Sequence, residues 1–301
     1  MKGGFLVAGR GRLGISLHGA LLAAGLHSEL LPGRGDLGAL SHRLGVLTDA
    51  HLVLAVPDPV IQAVASGLAA SGLSSNVAVI HLSGSLGLGS LAAVQAVGCA
   101  VGAFHPLQSF PKPRPPSAFR GSTFGIDASS EVLLGELEAI AAALGGSARR
   151  VRDDQRAMYH LAGVIASNYL TCLADQAAIA LMTAGWSRAE ALNGLVPLMT
   201  GAVDNLASLG LPGAIIGPIR RGDLGTVRRH LSAIAEANPG GHLDDVYRAL
   251  GMVAVDLATE AGLDPARAAE IARSLAAADR KTGDASAHSP RLQDDGDPDS
   301  T

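Results

Sequence analysis

The chain has 301 residues and a formal net charge of −4, enough for one large domain or two of ordinary size. Hydrophobic residues make up 48% but aromatics only 3%, so the core must be built from small aliphatic side chains, and the mildly acidic balance excludes the electrostatic footprint of a nucleic-acid binder. Two cysteines, Cys99 and Cys172, with no CxxC and no Cys/His cluster, exclude a disulfide framework and a metal site and point to reduced thiols in the cytoplasm.

The chain begins MKGGFLVAGRGRLG. Glycines and arginines interrupt the apolar run at once, so it reads as a strand and turn and not as a signal peptide. No stretch reaches ~18 uninterrupted apolar residues, so no membrane partner is expected. From residue 4 to about 150, short apolar runs alternate with helical patterns, which predicts an α/β domain with a parallel sheet and helices on both faces. The runs are Gly4–Ala8, Glu29–Leu31, Leu52–Val56, Val77–Leu82, Ala100–Phe104 and Thr123–Ile126, with helical patterns at Leu13–Ala24, Val60–Ala70 and Glu131–Leu144.

Gly9, Arg10, Gly11, Arg12, Leu13 and Gly14 follow the first run and open the first helix. GxGxxG in that context is a dinucleotide fingerprint. Gly9 permits a tight turn, Gly11 lets backbone approach a pyrophosphate, and Gly14 lets helix pack on strand. Arg10 and Arg12 add cations beside the turn, or are solvated surface arginines; the turn itself could also exist without a ligand. After the second run come Pro32, Gly33 and Arg34, with Asp36 two residues further on. An arginine there suits a 2′-phosphate, which predicts NADP over NAD.

Ligands in such sheets sit beyond the carboxyl ends of strands. Val56, Pro57 and Asp58 fall there, with Pro57 shaping a loop beside the cofactor. Ser83 can hydrogen-bond a substrate oxygen, or serve only as a turn residue. His105 can bond or titrate, or anchor the loop before Pro106. The proline-rich loop 111–116 is stiff and is expected to pack over an edge.

After Arg152 the pattern is helical throughout. Asp153–Thr183 is periodic for about thirty residues, Ser187 and Glu190 form a capping box, Asp223 or Thr226 starts a third helix, Leu243–Ala261 is a fourth, and Asp264-Pro265 starts a fifth. The expected organisation is a dinucleotide-binding domain over 1–152, an all-helical substrate and dimerisation domain over 153–278, and a disordered tail over 279–301, which is too polar to offset its ordering entropy.

Within the long helix, MYHLAGVIASN (158–168) carries His160, Ser167 and Asn168 among apolar residues. Seven residues is nearly two turns, so His160 and Ser167 fall within about 20° of one face. A polar stripe in an apolar helix is costly unless paired or lining a wet cleft, so the three either pack in hydrogen-bonded pairs or line a site. Further on, GPIRRGD (217–223) offers Arg221, or Arg220, as a two-bond clamp for a carboxylate; Asp223 orders that arginine or caps the next helix. His230 shares that helix, and reads equally well as an ordinary half-buried histidine.

Together GRGRLG (9–14), AVPD (55–58), HLSG (81–84), FHPLQSF (104–110), YHLAGVIASN (159–168) and GPIRRGD resemble Rossmann-like oxidoreductases whose helical C-terminal half is a domain of unknown function. These are relatives of the 6-phosphogluconate dehydrogenase, ketopantoate reductase, pyrroline-5-carboxylate reductase and prephenate dehydrogenase group. The resemblance runs from Gly9 to about Ala278. Ile216 stands where the family usually has Thr before GPI, which removes a hydroxyl. The resemblance implies a Rossmann-type doubly wound sheet followed by an all-helical second domain, a nicotinamide cofactor and a homodimer formed through the helical halves. Some relatives use a lysine of the long helix as proton donor; the only lysines here are Lys2, Lys112 and Lys281, so His160 takes that place as general acid/base. The expected activity is NADP-dependent hydride transfer to the carbonyl of a small 2-oxo acid, with Asn168 and Ser83 orienting the reacting atom and Ser167, His105, Arg221 and Asp223 binding substrate. An imine reductase and a non-catalytic NADP sensor are the alternatives.

Overall fold

In the computed structural model, residues 4–33, 35–45, 50–237 and 241–277 are described. Arg34 and the expected tail over 279–301 lie outside them. By packing the chain divides into two compact units, Met1–Thr171 and Cys172–Thr301.

The first unit is a seven-stranded sheet in the order β2-β1-β3-β4-β5-β6-β7. Its strands are β1 (Phe5–Ala8), β2 (Ser28–Leu31), β3 (His51–Leu54), β4 (Ala78–His81), β5 (Val101–Pro106), β6 (Thr123–Ala128) and β7 (Ser147–Arg150). The helices between them are α1 (Arg12–Ala23), α2 (Leu37–Gly45), α3 (Asp58–Ala70), α4 (Ala92–Ala96) and α5 (Glu131–Ala143).

Period-two alternation splits the core between the faces. Phe5 and Val7 of β1 join Leu17 and Leu21 of α1 and Leu137 and Ile140 of α5 on one side. Leu6 and Ala8 join Ile61, Ala65 and Leu68 of α3 on the other. Helices cover both faces, as expected of a doubly wound fold. β1 pairs in parallel with β2 and β3, Val7 lying opposite Leu30 and Val53. The chain therefore leaves β1 toward one edge and returns through β3 toward the other. The carboxyl ends of β1 and β3 flank the switch point, where such sheets bind ligands.

The sheet departs from the all-parallel expectation at β6, which runs antiparallel to β5. The connection between them contains only a short 3-10 turn, Pro116–Phe119. Prolines at 111, 113, 115 and 116 remove donors and block a crossover helix, and without one a parallel return is not made.

The long helix also departs from a uniform pattern. After a 3-10 turn at Asp153–Gln155, α6 (Arg156–Gly163) passes through a π-helical turn at Val164–Asn168 into α7 (Tyr169–Thr183). By length and composition this 31-residue run, mean hydropathy 1.3, is long and apolar enough to cross a membrane.

The second unit holds α8 (Arg188–Leu209), α9 (Leu224–Ala237), α10 (His242–Glu260) and α11 (Pro265–Ala276). Ser187 and Glu190 close the expected capping box on α8. Asp264 caps α11, accepting from the Arg267 amide, with Pro265 in the first turn. Val227, Val255, Ala258, Ile271 and Leu275 form the core of this unit.

Candidate functional site

The glycine turn is built by close approach. Gly9 has φ +138°, and a Cβ there would stand 2.1 Å from the Ala55 carbonyl oxygen; one on Gly14 would stand 2.1 Å from the Gly9 carbonyl oxygen. Only glycine lets the β1 turn, the first turn of α1 and the end of β3 interlock. Gly11 differs: a Cβ on it meets nothing within 4 Å. It is the N-cap of α1, with no side-chain cap and no acidic residue in the first turn. Unpaired amides and the positive end of the helix dipole therefore face open space, a ready place for an anion.

That space is a cleft of about 1150 Å³. Gly11, Arg12, Leu13 and Gly14 line one end. Val56, Pro57 and Asp58 from the end of β3, Ser83 after β4, His105 of β5, and His160, Ser167 and Asn168 line the rest. The structure thus brings together residues spread over more than 150 positions of sequence. Arg10 is exposed on the same turn. Arg12 donates to the Pro111 carbonyl at 3.2 Å, and the Arg114 amide donates to Ser16 Oγ at 2.9 Å. The proline loop accordingly packs on α1, and Phe110 and Pro111 close one side of the cleft. A second cavity of about 270 Å³ adjoins the end of β2, lined by Leu31, Pro32, Gly33, Asp36, Arg43 and Val56 among others.

The π-helical turn corrects the expected facing of His160 and Ser167. A wider turn takes in one extra residue, which rotates everything after it back by roughly 100° and moves the position aligned with His160 from Ser167 toward Asn168. Both still line the cleft.

Ser83 does not have the free hydroxyl an orienting group needs. It is 5% exposed, its Oγ donates to Asp58 Oδ2 at 2.7 Å, and it accepts from the amides of Ser85 (3.2 Å) and Leu86 (3.0 Å). These bonds describe a turn residue. Ser83→Ala is expected to cost about 1–2 kcal/mol of stability and to change dinucleotide affinity only a few-fold, read by denaturant unfolding and fluorescence titration. A hundredfold loss of turnover at unchanged stability would restore the orienting role.

Behind Ser83 lies a polar layer that the sequence reading missed. Arg156, the first residue of α6, is 1% exposed. Its Nη1 donates to the Ser83 carbonyl at 3.4 Å, while Nε and Nη2 are buried with no hydrogen-bond partner among the described residues. His81 is fully buried; its Nδ1 accepts from the Ser83 amide at 3.2 Å, so Nε2 carries the hydrogen and donates to the Gly87 carbonyl at 3.3 Å. Burial first, then the Arg156 guanidinium, pushes the His81 pKa down to about 4. His105 is likewise pushed down to about 4, by burial, then by His160 and Arg156.

The Tyr159 hydroxyl donates to the His105 carbonyl at 3.1 Å and lies 3.0 Å from His105 Nδ1. One hydroxyl hydrogen cannot serve both, so Nδ1 is the donor in the second contact and Nε2 is left as a bare acceptor. Asp153 ties the helix start to the loop after β4 by accepting from the amides of Leu88 (3.0 Å) and Gly89 (3.4 Å).

Arg221 and Asp223 belong to the second unit. Asp223 caps α9, accepting from the Thr226 amide at 3.0 Å and its hydroxyl at 2.7 Å; these two bonds hold its carboxyl below the usual range. Arg220 donates to the Ala261 carbonyl at 2.9 Å, at the end of α10. Arg221 is exposed, and His230 Nδ1 lies 2.9 Å from the Tyr247 hydroxyl. Among the described residues no group of three His, Cys, Asp or Glu could hold a metal ion.

No match is found among curated proteins. Solved structures share the fold. A Bacteroides fragilis protein is 20% identical, with 85% of this chain and 97% of that chain covered and a TM-score of 0.61. Plasmodium falciparum pyrroline carboxylate reductase with NADP bound is 14% identical (90% and 98% covered, TM-score 0.56). A reductive aminase from Aspergillus terreus, in complex with NADPH and ethyl levulinate, is 16% identical (86% and 94% covered, TM-score 0.55). The chain therefore has a Rossmann-type α/β fold followed by a helical region, and its residues 122–254 match the family described as a domain of unknown function, DUF2520.

Proposed function

We propose that the protein is an NADP-dependent oxidoreductase that reduces a polarised C=O or C=N bond of a small substrate. One observation carries this: an uncapped helix start, opened by a glycine whose Cβ would meet nothing, faces the same cleft as His105, His160 and Asn168. The amides after Gly11 would hold the pyrophosphate, and the pocket at the end of β2 the adenosine end. Asp36 Oδ1 accepts from the amides of Gly38 and Ala39, so this acid caps α2 and is engaged there, not held free for ribose hydroxyls. That favours NADP, as does the presence of Arg34 two residues before Asp36 in the sequence. The Plasmodium and Aspergillus neighbours hold NADP and NADPH, which supports the same cofactor here. When bound, the nicotinamide supplies the hydride, and the protein supplies binding and electrostatics.

For a carbonyl substrate, His160 acts as general acid and Asn168 orients the oxygen. The carbonyl substrate of this reading is a small 2-oxo acid of ketopantoate type. The specific observation that favours the second reading, a C=N substrate, is the bare acceptor on His105. His160→Ala is expected to lower kcat on a carbonyl substrate by about 100-fold or more; turnover at the wild-type rate would remove His160 from the mechanism. The deciding assay is NADPH oxidation, followed by nicotinamide absorbance, across 2-oxo acids and cyclic imines. Tight NADPH binding without turnover on any of them would instead support a sensor. Large apolar side chains exposed in the second unit, including Val196, Leu198, Leu209, Ile216 and Val253, support a homodimer. Polar and charged residues of the long helix engaged in the first unit support a cytoplasmic protein without a membrane partner.

A further inference from the structure

We infer that the cleft selects a cationic substrate, a protonated imine, and that Asp58 is its counter-ion. The inference rests on the reductase reading above and names its substrate class. Asp58 opens α3 beyond the carboxyl end of β3 and lines the cleft. Both of its protein donors, the hydroxyls of Ser83 and Ser85, go to one oxygen, Oδ2, at 2.7 Å each. Oδ1 receives none among the described residues. Asp58 stands in the first turn of α3, at the positive end of the helix dipole.

Arg12, at the glycine-turn end, is turned to the Pro111 carbonyl, and Arg156 lies beneath Ser83 with Nη1 on the Ser83 carbonyl. Asp58 is the one acidic side chain among the residues that line the cleft.

The second group points the same way. His105 lines the same cleft, with its Nδ1 hydrogen committed to Tyr159. Its Nε2 makes no protein hydrogen bond among the described residues and can only accept. A carbonyl oxygen would meet two acceptors; an iminium N–H⁺ satisfies one and pairs with the other.

The chemistry closes without a proton donor. Hydride addition at the iminium carbon forms one C–H bond, and the C=N π pair becomes the lone pair of a neutral amine. The hydride comes from the reduced dinucleotide of the proposed function. No lysine stands in the helical half, and an already protonated substrate needs none.

Piperidinium serves as a non-reacting cationic probe and tetrahydropyran as its neutral counterpart, each titrated by NMR into the full chain with and without NADP⁺. In wild type, piperidinium should bind at least tenfold tighter than tetrahydropyran. Asp58→Asn should erase that preference while leaving NADPH affinity unchanged, and Asp58→Glu should recover part of it. Equal binding of the two probes to wild type would overturn the inference, and needs no variant to fold. So would an Asp58→Asn protein that keeps the preference, or one that loses NADP⁺ affinity alone, which would set the carboxylate against the cofactor. Failure of NADPH to bind wild type would sink the reductase reading, while the probe titrations without NADP⁺ still decide the role of Asp58.

Discussion

Replacing Gly11 with valine is expected to leave the fold intact and to lower NADPH affinity at least a hundredfold, a loss of about 2.7 kcal/mol or more. The backbone at Gly11, φ −73° and ψ 174°, is extended and admits any L-residue, and a Cβ there has no neighbour within 4 Å. What the valine fills is the place a pyrophosphate needs if the amides of α1 are to reach it. Gly9→Ala makes the contrast. At φ +138°, with a Cβ 2.1 Å from the Ala55 carbonyl, it strains the turn itself and should lower stability and binding together. Thermal unfolding and NADPH fluorescence titration of the two variants separate a ligand-binding turn from a turn that merely packs. If Gly11→Val binds NADPH as wild type does, the turn is structural and the cleft belongs to another ligand.

The contrast between these two glycines was legible in the sequence, because GxGxxG after an apolar strand has one well-understood geometry. The inner strands were legible for a related reason. β1 and β3 are buried along their whole length, so the apolar runs Phe5–Ala8 and Leu52–Val56 mark them. β7 carries Ser147, Ala148, Arg149 and Arg150 at an open edge, where no hydrophobic signal is required and none exists. α2 was not among the expected helical patterns; Asp36 was noted only for its place beside Arg34, whereas its carboxylate caps the helix that follows.

The π-helical turn at Val164–Asn168 leaves no mark in composition. It shifts backbone hydrogen bonds, and a reading at a fixed ~100° per residue cannot detect it. Arg156 was hidden differently. It stands in a run of charged residues, Arg152, Asp153, Asp154 and Arg156, that reads as a polar boundary, and arginines are seldom fully buried. Only packing shows that one of these four turns inward beneath Ser83. Asp58 was visible as part of AVPD, but its open carboxylate oxygen depends on where Ser83 and Ser85 send their hydrogens.

The inward turn of Arg156 bears on the second large effect, a steep loss of stability in mild acid. His81 and His105 both titrate near 4 in the folded protein, against about 6.5 when unfolded. Between those values the unfolded chain binds protons that the folded chain refuses, so stability is complete above pH 6.5 and declines as the pH falls toward 4. A depression of that size is worth about 3 kcal/mol per histidine, and two of them reach the scale of a whole domain's stability, about 5–15 kcal/mol. Urea unfolding at a series of pH values should show the decline concentrated between pH 6.5 and 4. His81→Gln and His105→Gln should each flatten it by roughly half. Arg156→Met should raise both histidine midpoints measured by NMR, because it removes a buried positive charge from beside them, while Arg156→Lys should hold them lower. An unfolding free energy that stays level across that interval in wild type would mean that neither imidazole resists protonation, and that His105 can carry charge beside the substrate after all.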